Sequence, residues 1–180
     1  MVRMRKRLGL VLSMVTSVLV GCGASHPSPL NQDKSLLTWN AAKHEVRWKV
    51  VAGDGRANGG MNFDGYANGS MTLVVPIGWR VVIDFDNASL MPHSAMVVPY
   101  GDRERSNFDA TMVAFPGAET PNPSQGDPQG THRDVIFTAA KVGTYALVCG
   151  VPGHALAGMW DQLVVSDEAK HPSLRVQRDS

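Results

Sequence analysis

Apolar residues recur in this chain at every second position, in short runs that glycine and proline end before they reach helical length. Val46, Trp48 and Val50 alternate with Arg47 and Lys49. A period of two puts the first three on one face of an extended strand and the charged pair on the other. Val81, Ile83 and Phe85 repeat the pattern around Val82 and Asp84 and close at Asp86-Asn87. Residues 71–75 form a short apolar run ended by Pro76-Ile77-Gly78. Residues 93–98 (HSAMVV) stop at Pro99, residues 133–138 and 143–149 flank a turn at Lys141-Val142-Gly143, and residues 161–165 (DQLVV) give a last strand. Some seven short strands, many turn residues and no helical period predict an all-β fold, an antiparallel sandwich or barrel. No segment repeats at a fixed period.

The connections differ in kind. Residues 53–69 hold six glycines among Asn and Asp and read as turns. Residues 101–130 carry four prolines and no periodic pattern. A connection of that length is functional or disordered, and the sequence leaves open whether it shields a site, meets a partner or is loose. The charged residues beyond Ser166 read as a frayed tail. The expected domain spans residues 36–167, with a polar tail over 168–180.

The first residues read as a targeting segment. Residues 1–7 carry four basic side chains and no acid, residues 8–20 are apolar, and Leu19-Val20-Gly21-Cys22 ends the run on small residues and a cysteine. This is the layout of a secretory signal, too short to span a bilayer as a mature helix. The cysteine placement resembles the lipobox of bacterial lipoproteins, which implies a lipid on Cys22 and a tether over residues 22–35, polar and proline-bearing. Seventeen Lys and Arg stand against sixteen Asp and Glu, but four of the basic residues lie in residues 1–7, so the chain from Cys22 carries about −3. No basic patch then remains that would suggest nucleic acid or an anionic surface as a partner.

Cysteine usage points to a metal. Cys22 and Cys149 are the two cysteines. With Cys22 acylated, Cys149 would be a lone thiol in an oxidising compartment, where an occupied sulfur is the stable arrangement. Cys149-Gly150-Val151-Pro152-Gly153-His154-Ala155-Leu156-Ala157-Gly158-Met159 places a thiolate, an imidazole and a thioether on one loop between two strands. Each alone has an ordinary reading as core or loop residue. Together, on a segment that glycine and proline let fold back on itself, they form a soft donor set suited to copper. A fourth donor must come from upstream, and spacing leaves His26, His44, His93, His132 and His171 open.

The run Tyr145-Ala146-Leu147-Val148-Cys149, followed by Val151-Pro152-Gly153-His154 and Gly158-Met159, resembles the cupredoxins of the sulfocyanin and rusticyanin type. Asn62-Phe63-Asp64-Gly65-Tyr66, Val75-Pro76-Ile77-Gly78-Trp79 and Pro92-His93-Ser94 resemble the sulfocyanin pattern further, so the likeness covers residues 36–165. It implies a Greek-key β-sandwich with one copper held by His93, Cys149, His154 and Met159. It also implies a role for Ser94 in tying the two ligand segments together. The expected function is single-electron transfer between redox proteins of a respiratory chain, by a monomer outside the cytoplasm held to a bacterial membrane through Cys22. A copper chaperone or storage protein of the same fold is the alternative, against which the scattered methionines argue. A copper enzyme would need clustered histidines such as H-x-H, and a binuclear site a second cysteine beside Cys149; the sequence offers neither.

Overall fold

The computed structural model describes residues 36–177. The signal segment, Cys22, the tether with His26, and residues 178–180 lie outside the described residues. Nine strands are present among them: β1 (Leu37–Asn40), β2 (Glu45–Ala52), β3 (Met71–Pro76), β4 (Arg80–Asn87), β5 (Met96–Pro99), β6 (His132–Thr138), β7 (Gly143–Val148), β8 (Trp160–Ser166) and β9 (Ser173–Val176). They form two sheets, ordered β1-β2-β4-β6 and β5-β7-β8-β3-β9. The inward residues of both sheets make one core. Val46, Trp48, Val50, Val81, Ile83 and Phe85 meet Met71, Leu73, Val75, Leu147 and Leu163 there, all out of solvent. The period-two pattern read from β2 and β4 is thus the inner face of the first sheet, and the architecture is the expected cupredoxin β-sandwich.

Three expectations need correction. The sheets are not antiparallel throughout, because β2 pairs with β4 and β3 with β8 in parallel. The chain leaves the first sheet after β2, runs through β3 in the second and returns by the Ile77-Gly78-Trp79 turn. β4 therefore arrives beside β2 pointing the same way. Strand periodicity carries no information on such a crossover. The frayed tail is the second correction. β9 pairs with β3, Leu73 opposite Leu174 and Met71 opposite Val176, and both partners are buried in the core. Two apolar residues around Arg175 are too short a pattern to read as a strand. Third, β1 pairs with β2 along Leu37–Asn40, where no strand was expected.

The connection over residues 101–130 is ordered and packed. Ala114 N–H donates to Val97 O, Val97 N–H to Ala118 O and Thr120 N–H to Ala95 O (2.8–2.9 Å), so this segment covers the free edge of β5. Phe115 enters the core, its ring stacked on Phe137 and tilted against Tyr145, with centroids 5.3 and 4.6 Å away. Phe108 and Met112 pack on the outer face of the same sheet against Met96, Val98, Val148 and Trp160. With both faces covered, Tyr145–Val148 of β7 read as a continuous buried run instead of an alternation.

Candidate metal centre

β7 ends at Val148 and β8 begins at Trp160, so the whole Cys-His-Met segment is the connection between two adjacent antiparallel strands. Cys149 N–H donates to Met159 O (3.1 Å) and closes the base of this loop. Inside it, His154 N–H donates to Val151 O, Met159 N–H to His154 O and Ala157 N–H to Gly153 O. The loop is a folded unit with three donor-bearing residues fixed to one another through their backbones.

His93 comes from the connection between β4 and β5 and is fully buried. Its Nδ1 lies 3.8 Å from Cys149 Sγ, and His154 Nδ1 lies 3.4 Å from the same sulfur. The two imidazole centroids are 5.0 Å apart with planes inclined by 56°. Three donor atoms of His93, Cys149 and His154 lie within 4.8 Å of one another, close enough to hold one metal ion. Met159 is buried beside them, hydrogen-bonded through its backbone to both loop ligands.

The protonation states suit metal binding. Burial pushes the Cys149 thiol pKa up, opposed by N–H groups of Ser94 and Val151 directed at the sulfur. Burial, and secondarily the neighbouring His154, lowers His93 to about 4; burial also lowers His154. Neutral imidazoles offer free lone pairs, whereas the buried thiol needs a cation beside it to shed its proton.

The other described histidines stand elsewhere. His44 stacks on Trp79, His171 on Trp39, and His132 is exposed and bonded to Asp86. Asp84, Asp86 and His132 also converge, but Arg47 already spans Asp84 and Asp134 there, which makes the group an ion-pair network on the sheet surface. Ser94 joins three segments. Its Oγ donates to Pro123 O and accepts from Gly150 N–H, both at 2.8 Å, and its N–H faces Cys149 Sγ at 3.4 Å. Sequence reasoning paired Ser94 with the cysteine segment but missed Pro123, because nothing in a proline-bearing loop marks which carbonyl will meet a serine 29 residues away.

A family model for the sulfocyanin (SoxE) domain matches residues 33–175. The chain belongs to the sulfocyanin family. Sulfocyanin of Sulfolobus acidocaldarius is 31% identical over 116 residues, which cover 62% of this chain and 58% of that protein; the match thus spans less than two thirds of the relative's length. Among solved structures, auracyanin from Roseiflexus castenholzii aligns with a TM-score of 0.48 at 22% identity, over 66% of this chain and 94% of the other. Rusticyanin from Thiobacillus ferrooxidans aligns with a TM-score of 0.49 at 20% identity, over 73% and 88%. Sulfocyanins are cupredoxins, and cupredoxins of this kind take one copper ion. The residues present fit it. Two neutral imidazole nitrogens and a buried sulfur converge there, a mixed borderline and soft set that matches copper better than a hard cation.

Proposed function

We propose that this sulfocyanin-family protein is a type 1 blue-copper electron carrier whose copper would be held by His93, Cys149 and His154 together with the thioether of Met159. The convergence of two imidazoles on a fully buried thiol is the observation that carries the reading. Bound there, copper would cycle between Cu(I) and Cu(II) with one electron gained or lost. The protein's part is to keep the donors in one arrangement through both states, and the backbone bonds closing the Cys149–Met159 loop support that role. Cys149 is fully buried, which suits outer-sphere electron transfer.

His154 is half-buried while Cys149 and His93 are fully buried, so its ring is the route from the site to the surface. Leu156 and Leu90 are strongly exposed and Met91 partly so. Leu156 stands two residues from His154, and Leu90 and Met91 lie in the connection that carries His93; exposed apolar side chains on the ligand-bearing segments suit short-lived contact with other redox proteins. Lipid on Cys22 would hold the domain at an extracytoplasmic membrane face. Cys22→Ser should release the protein from the membrane fraction without changing its copper centre.

The deciding experiment adds Cu(II) to the purified domain from residue 23 onward. An intense visible thiolate-to-copper band is expected, absent in Cys149→Ser, with a reversible one-electron wave. Stoichiometric copper with no such band overturns the blue-copper reading. Rapid exchange of the metal without a reversible wave favours a copper chaperone.

A further inference from the structure

His93 raises a question of support. Metal-binding histidines ordinarily have the second ring nitrogen tied to a carboxylate or carbonyl, which sets the ring's orientation. Among the described residues, His93 Nε2 is buried and meets no hydrogen-bond partner. Its ring faces Gly53, where a Cβ would lie 3.3 Å from Nε2 and 2.3 Å from Ser89 Cβ. The ring is therefore not held by its own polar tip.

The backbone of His93 is held instead. His93 N–H donates to Asp127 O (3.2 Å) and Asp127 N–H donates to His93 O (2.7 Å), a two-bond antiparallel bridge. The carboxylate of Asp127 is only 5% exposed and is gripped by Arg133 of β6 through Nε and Nη2, at 2.7–2.9 Å. A forked pair of this kind fixes direction as well as distance. The fully used amide of Asn87, at the end of β4, closes the arrangement: its Nδ2 donates to Met91 O (2.9 Å) and Asp127 O (2.8 Å). Gly126 lets the strands approach, since at its φ of +73° a Cβ would lie 3.0 Å from His93 N and 2.8 Å from Val151 Cγ2.

We propose that Asp127 and Arg133 are positioning residues for the copper site: their ion pair anchors the residues 101–130 connection to β6, and through the Asp127 backbone sets where His93 stands relative to Cys149. The carboxylate acts through the peptide, not through the imidazole. This rests on His93 being a copper ligand, but part of its test does not need the metal.

Amide hydrogen exchange on the metal-free protein, wild type against Asp127→Asn and Arg133→Gln, is the first measurement. The amides of His93 and Asp127 should exchange about tenfold or more faster in either variant, while those of Cys149 and Met159 keep wild-type rates. Copper affinity should fall by about 10–100-fold, with a changed thiolate band and EPR hyperfine splitting. Because both residues act through one pair, the double variant should resemble either single one. Arg133→Lys, which keeps the charge and loses the fork, should fall between, and it decides the matter if the other variants do not fold. Unchanged exchange at His93 with a wild-type copper spectrum overturns the proposal. So does uniform acceleration across both sheets, which would make the pair a general stabiliser. If the wild type itself gives no thiolate band, the copper reading fails, and the exchange pattern still decides whether the pair positions His93.

Discussion

The segment from Cys149 to Met159 is closed by bonds within itself in addition to outside contacts from Asn58, Asn68, Ser94 and Ser106, whereas the segment around His93 leans chiefly on outside contacts. The first has its ends joined by Cys149 N–H to Met159 O and its interior turns closed over three to five residues. The second leans on Asp127, Asn87 and Pro123, contributed by β4 and by a connection some thirty residues downstream. A locally closed loop survives loosening of its surroundings, while a ligand fixed by remote contacts inherits the stability of everything that fixes it. Perturbing the Asp127 end of the connection should therefore disturb His93 before it disturbs Cys149, His154 and Met159.

The strongest test removes the anchor of that connection. Phe115→Ala deletes a ring packed on Phe137 and Tyr145 and should cost about 3–5 kcal/mol in urea unfolding. In the copper-loaded protein the thiolate band should persist with weakened metal affinity. Leu174→Ala on β9 is the matched control, costing about 2–5 kcal/mol at the far edge of the same sheet. Its copper spectrum should stay that of the wild type, and a shift equal to that of Phe115→Ala would erase the contrast between the two segments.

Ser94→Ala strikes the junction itself. It leaves Pro123 O and Gly150 N–H buried without their partner, at about 1–3 kcal/mol each. It should also move the reduction potential, read by voltammetry, because a polar group beside the sulfur is lost. Smallest is the effect of His132, which sits one residue before Arg133. Its hydrogen bond to Asp86 raises its pKa above the ordinary value. The folded state thus favours the proton. The stabilisation is full below about pH 6.5 and is lost as pH rises through the raised folded value. An NMR titration should find His132 titrating high, and Asp86→Asn should return it toward the ordinary value, with the copper site untouched.

Legibility in the sequence followed the same division. The β2 and β4 alternation marked the inner face of a sheet because side-chain direction on a strand depends only on parity. The Cys149, His154 and Met159 set was readable because its three members share one loop, and loop chemistry is local. His93 could be chosen among five histidines only by family likeness, since its distance to Cys149 is set by how two sheets stack. β9 was missed because four residues carry too little pattern, and burial against β3 supplies what propensity does not.

By itself, then, the sequence determined that the chain is all-β, that one loop carries three soft donors, and that residues 101–130 are long and irregular. Those are properties of neighbours along the chain. Only the tertiary structure decided that this connection is packed rather than loose, that two strand pairings are parallel, and that His93 meets Cys149 at 3.8 Å. Each of these depends on which distant segments bury one another, and that follows from the free energy of the whole core, not from any local run of residues.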